Sequence, residues 1–297
     1  MNRRNQAEFL LLAAIWGASF LFMRVAAPEF GPIPLMMVRC AIGAAVLLPI
    51  AWARKGGSRL VRQATEDSGR LFVAGLFNSA IPFVMFGFAA LSLTAGFSSI
   101  LNATTPIFGA IVGYFWLKDR LTGWRVAGLL IGIGGVVLLS WDKASFRDGD
   151  GGGWAVIACL VATFCYGIAG NFAKKHLTGI DPLIVAAGSQ MGAMLVLVPA
   201  GILLWPSQQP SVAAWLCALV LGAACTGLAY VLFFRLIANV SSSAALSVTF
   251  LIPIFGVVWG WLFLAESIDL SMLTGGAVVV LGTALATGLL RPASRRA

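Results

Sequence analysis

The stretch 95-AGFSSILNATTPIFGAIVGYFWLKD-119 decides the fold, because the chain carries a second copy of it. A shift of 147 positions, from Pro106 to Pro253, lays Pro106-Ile107-Phe108-Gly109 on Pro253-Ile254-Phe255-Gly256. The same shift lays Gly113 on Gly260, Leu117 on Leu264 and Asp119 on Glu266. Proline inside a helix offers no N–H to the carbonyl four residues earlier, so within an apolar segment it releases a polar acceptor. The released carbonyls belong to Asn102 and Thr249, whose own side chains also hydrogen-bond. The pair reads as two halves of one polar site at membrane depth.

Composition sets the solvent. Of 297 residues 60% are hydrophobic and 10% charged, where soluble domains carry about a quarter charged residues. Asn2-Arg3-Arg4 runs straight into an apolar segment without a small-residue cleavage site, so the first segment is expected to be retained. A net charge of +9 lies mostly between apolar segments, as bilayer orientation demands, and gives no reason to expect nucleic acid. The five cysteines fall inside apolar segments without CxxC spacing, so neither a disulfide framework nor a metal or cofactor site is expected.

A helix crosses the hydrocarbon with about 20 apolar residues. Ten such segments are expected, at 9–27, 33–53, 71–93, 95–117, 123–141, 154–174, 183–205, 212–236, 242–264 and 270–290. With the N-terminus in the cytoplasm, sixteen lysines and arginines fall on the inner side, and Arg24, Arg39, Lys143 and Arg147 on the outer. That bias predicts a multi-pass inner-membrane protein with both termini cytoplasmic. Further pairs extend the repeat: Gly128 with Gly275 and Gly135 with Gly282 at 147, Trp16-Gly17 with Tyr166-Gly167 at 150, and Gly31 to Pro34 with Gly179 to Pro182 at 148. The expected fold is therefore all-α, ten transmembrane helices in two five-helix repeats, 1–147 and 148–297. Because five is odd, the second repeat enters the membrane inverted, an arrangement that places a substrate site between the halves near the midplane.

Pro82 repeats the opening device, with Asn78 four residues before it. Ser98, Asn102 and Thr105 share one face of the fourth helix. Asn78, Pro82, Ser98, Asn102, Thr105 and Thr249 are accordingly the candidate polar lining. Trp16, Tyr166 and Tyr230 stand away from the interfacial belt that holds most tryptophans, and are candidates for its aromatic walls. The competing reading of these groups is interhelical bonding in a closed bundle, at about 0.6 kcal/mol per pair, and simple core packing of the rings. No Asp, Glu, Lys or His lies at the middle of a segment, and Arg39 is placed near an outer end where it can snorkel. This favours a neutral or zwitterionic solute and leaves proton coupling to Asp119, Glu266 or Glu8 at helix ends. Gly109-xxx-Gly113, Gly256-xxx-Gly260 and Gly128-xxx-Gly132 predict close helix approach, with equivalent contacts for helices four and nine rather than a dimer face.

Ten helices in two repeats, each with a Pro-Ile-Phe-Gly-x-x-x-Gly helix closed by an acid (Asp119, Glu266), resemble the EamA-type members of the drug/metabolite transporter superfamily, including YddG-type amino-acid exporters of bacterial inner membranes. The usual closing acid there is Glu, and Asp119 departs from it. The resemblance implies alternating access, with helices one, three, four, six, eight and nine around a central cavity. The expectation is an exporter of amino acids or similar small metabolites, surrounded by lipid and not an enzyme. Alternatives are a proton-coupled drug or metabolite efflux pump, an open channel, or a membrane-embedded enzyme acting on lipid-linked substrates. Oligomeric state is not set by the sequence, and a monomer is compatible with it.

Overall fold

A computed structural model describes residues 2–141, 151–240 and 245–290. The expected boundary at 147/148, the first residues of the ninth segment, and Lys143, Arg147, Arg291, Arg295 and Arg296 lie outside them. The described residues form α1 (Arg3–Phe30), α2 (Pro32–Lys55), α3 (Ser68–Ala89), α4 (Ala95–Leu117), α5 (Gly123–Ser140), α6 (Gly152–His176), α7 (Pro182–Leu203), α8 (Val212–Asn239), α9 (Ile252–Leu264) and α10 (Leu270–Ala286). The first eight are long and apolar enough to cross a bilayer, and α9 and α10 are shorter apolar helices. A short helix, Gly57–Glu66, sits between α2 and α3 and carries the basic run.

The repeat survives at the level of single backbone angles. Gly31 before α2 has φ 77° and Gly179 before α7 has φ 91°, a conformation only glycine adopts without strain, and prolines open both helices. Lys118 and Ala265, which end α4 and α9, both take the left-handed conformation, at φ 59° and 51°. Asp119 N–H then bonds the Gly113 carbonyl at 3.1 Å, and Glu266 N–H bonds that of Gly260 at 3.2 Å. Non-glycine residues seldom hold positive φ, so its recurrence at one shift marks a shared local design.

Prolines break the helices where expected. In α4 the regular winding stops at Asn102 and resumes at Thr105, and before α9 a tight turn spans Ser247–Phe250. In α3 the turn Leu76–Ala80 widens to π geometry ahead of Pro82, with Ile81 N–H reaching Leu76 O. The repeat-related turn Ala223–Leu228 of α8 widens likewise, although Ala229 stands where Pro82 would fall. The Asn102 carbonyl, freed by Pro106, accepts the Thr105 hydroxyl at 2.8 Å.

Small residues let the two halves interlock, as apolar side chains gain nothing by leaving lipid. A side chain at Gly17 of α1 would strike Phe255 and Gly256 of α9, and one at Gly167 of α6 would strike Phe108 and Gly109 of α4. The Pro-Ile-Phe-Gly motif is thus the seat for a glycine from the other half, at both sites. Backbones of α5 and α10 meet through Gly128, Gly132, Gly135, Gly275 and Gly282, within the chain. Helices α4 and α9 share that glycine seat, but the contacts expected to be equivalent differ at the motif glycine itself. Gly256 lies against Ser99 of α4, whereas nothing among the described residues comes within 4 Å of a side chain placed at Gly109.

Candidate functional site

The two widened turns face each other across α2 and α7. Asn78, in the first, donates from Nδ2 to the Tyr230 hydroxyl of α8 at 2.6 Å. Its neighbour Ser79 accepts from Gln190 Nε2 of α7 at 2.7 Å. In the second turn, Thr226 accepts from Arg39 Nε of α2 at 3.0 Å and donates to the Leu221 carbonyl at 2.9 Å. The shift of 147 carries Ser79 onto Thr226 and α2 onto α7. Arg39–Thr226 and Gln190–Ser79 each tie a widened turn to the helix beside it, from different positions, since the shift lays Gln190 on Gly43 and Arg39 on Ala186. Gly43 lies between them: a side chain there would touch the Thr226 methyl and approach Gln190 Oε1 at 3.6 Å.

Arg39 overturns the expectation that it snorkels to the outer interface. It is 5% exposed, and its guanidinium lies 3.7 Å from the centre of the Phe83 ring. Thr226, to which it is bonded, sits midway along α8, so the charge is held near mid-depth. Distance from the end of a helix was a poor guide because the acceptor comes from 187 residues away. The usable signal was an arginine inside an apolar run, which by itself marks a functional site.

Aromatic rings border this cluster. Tyr230 stacks on Phe234 at 6.0 Å, Trp16 packs on Phe233 at 5.3 Å, and Tyr166 stacks on Phe86 at 6.2 Å. Asn78, Tyr166, Tyr230 and Trp16 keep partial exposure although their neighbours are buried core. They stand half-buried around the polar cluster.

The other expected residues sit elsewhere. Pro82 is buried and follows the first widened turn. Ser98 is 2% exposed and packs on Cys159 of α6, so it faces the bundle and not an opening. Thr104, rather than Thr105, reaches across, donating to or accepting from Thr163 at 3.1 Å. Asn102 and Thr105 are half-buried, and Thr249 gives its hydroxyl to Leu246 O at 2.9 Å. The sequence reading also missed Asn171, which donates to the Gly109 and Gly167 carbonyls at 2.9 and 2.8 Å and clips α6 to α4.

One end of the bundle is latched. Glu266, after α9, accepts from the Ala95 and Gly96 N–H groups at 2.9 and 3.4 Å and so caps α4. A carboxylate here also complements the helix dipole. Asp119, its repeat mate, instead pairs with Lys174 at 3.0 Å, both well exposed.

Comparison with known proteins agrees with this architecture. The EamA-like transporter family is matched twice, by residues 8–141 and by residues 153–288. A Bacillus subtilis (strain 168) protein described as "Uncharacterized transporter YoaV" is 24% identical over 270 residues, covering 90% of this chain and 91% of its own. A "Probable terminal-alkyne amino-acid exporter" of Streptantibioticus cattleyicolor is 24% identical over 276 residues, covering 93% and 91%. A solved crystal structure superimposes with a TM-score of 0.66 at 21% identity, over 97% of this chain and 98% of that one, a likeness of fold alone. Matched in both halves over most of its length, the chain belongs to the EamA-like transporter family and is a multi-pass membrane transporter with its two five-helix repeats inverted.

Proposed function

We propose that the protein exports amino acids or similar small zwitterionic metabolites across a bacterial inner membrane, with both termini cytoplasmic, by alternating access. The observation that carries this is the polar cluster Asn78–Tyr230, Ser79–Gln190 and Arg39–Thr226, placed between the halves near mid-depth and bordered by half-exposed aromatics. Such groups cost several kcal/mol each if turned to lipid, and in a crevice they meet a solute. The amino-acid exporter among its relatives supports the substrate class. Asn102, Thr105 and Thr249 complete the lining as α4 and α9 move.

The unequal treatment of related contacts supports alternation. Glu266 and Gly256 close one end over α4, while Asp119 pairs with Lys174 of α6 and a side chain placed at Gly109 would meet nothing within 4 Å among the described residues. With cytoplasmic termini, the closed end is the outer one and the crevice opens inward. Transport needs no carboxylate at mid-depth; Asp119, Glu266 and Glu8 at the helix ends are engaged in pairs or caps. The test is counterflow in proteoliposomes across a panel of amino acids, with and without a pH gradient. Saturable exchange independent of the gradient supports the reading, strict gradient dependence supports proton-coupled efflux, and absence of exchange for every amino acid overturns it.

A further inference from the structure

The charge held near mid-depth has no counter-ion among the described residues. Arg39 spends Nε on Thr226, and one Nη on the Met23 sulfur at 3.8 Å, a weak acceptor. Phe83 covers one face of its plane. Among the described residues no carboxylate pairs with it: Glu8 goes to Arg4 and Arg235, Asp181 to Lys55, Asp119 to Lys174 and Asp67 to Arg70. Glu29 binds Ser211, and Glu266 caps α4. Arginine does not shed its proton, and a buried cation left unpaired is among the costliest arrangements a fold can hold. The repeat-related turn is held by a neutral group, the Gln190 amide on Ser79. A cation is not needed to join these helices.

We propose that the free guanidinium edge of Arg39 receives the carboxylate of the transported solute, an inference that rests on the zwitterion reading above and names the group recognised. A planar fork of N–H donors matches a carboxylate in two parallel bonds. Around it stand acceptors suited to the ammonium end. The Tyr230 hydroxyl oxygen lies beside Asn78, which, having donated from its nitrogen, retains its carbonyl oxygen. Gln190 Oε1 is buried without a partner beside the same Gly43 turn, a second sign that the cluster is built for a guest.

Purified full-length protein in proteoliposomes is loaded with a radiolabelled amino acid that exchanges, and challenged with the unlabelled acid, its carboxamide and its decarboxylated amine. Carboxamide and amine compete about ten- to a hundredfold more weakly than the acid, the scale of one charge-assisted bond. In Arg39→Gln the acid loses the same factor and the carboxamide does not. Equal competition by acid and carboxamide in the wild type overturns the proposal, as does unchanged acid affinity in Arg39→Gln. If Arg39→Gln fails to fold, the wild-type competition decides alone. Should no amino acid exchange, the function proposed above fails, and thermal stabilisation by acid against carboxamide in detergent decides the carboxylate site separately. Stabilisation by the acid only supports it; equal or no stabilisation overturns it.

Discussion

Gly109 and Gly256 occupy the same place in the two copies of one motif and have opposite surroundings. A methyl group added at Gly256 runs into the Ser99 side chain, and one added at Gly109 meets nothing within 4 Å among the described residues. Overpacking of this kind costs about 1–3 kcal/mol, about a 5- to 150-fold change in population. If α4 and α9 exchange roles during transport, Gly109 has to accept in the other state the close approach that Gly256 accepts here. Gly109→Ala therefore leaves the present state unpenalised, or stabilised by about 0.5–1 kcal/mol through lower chain entropy, and raises the other by about 1–3 kcal/mol. Its unfolding temperature in detergent stays or rises by a few degrees, while the initial counterflow rate falls about 5- to 150-fold. Gly256→Ala lowers the unfolding temperature. The reasoning is refuted if Gly109→Ala exchanges at the wild-type rate, or if both variants change stability alike.

Tyr230→Phe removes the acceptor of Asn78 Nδ2 and should cost about 1–3 kcal/mol, read as a lower unfolding temperature together with a higher half-saturating substrate concentration. Glu266→Ala uncaps the start of α4 and loses about 0.5–2 kcal/mol from the latched end, so a thiol reagent reaches engineered cysteines there faster than in the wild type. Gly128→Leu drives a side chain into the backbone of α10 at Gly282 and Ala286; monodisperse protein on size-exclusion chromatography is expected to be lost, while Gly134→Ala, which meets nothing, remains monodisperse.

The helices and their doubling were legible because apolar run length and one constant shift carry them, and both are local quantities. The breaks at Asn102 and before Pro253 followed from the missing proline N–H. The widened turn at Ala223–Leu228 did not, because no proline marks it and its cause is the partnership of Thr226 with Arg39 and Leu221. Side-chain direction was the weaker inference. Ser98 shares a helical face with Asn102 yet packs on Cys159, since α6 covers that part of the face and not the next. Arg39 was misplaced for a related reason: distance along its own helix says nothing of a hydroxyl on another half of the chain. Equivalent contacts for α4 and α9 were expected from equivalent sequence; among the described residues the two share the glycine seat and differ in the Ser99 contact, made at Gly256 alone.

Alternating exposure of the Asn78–Tyr230 level is tested most directly by thiol accessibility. Asn78→Cys is placed in a chain lacking the five native cysteines and treated with a membrane-impermeant maleimide from one face of the vesicle at a time. Labelling from each face in the active protein, and from one face only once Gly109→Ala is added, is the predicted result. Labelling from neither face, or labelling unaffected by Gly109→Ala, contradicts the account.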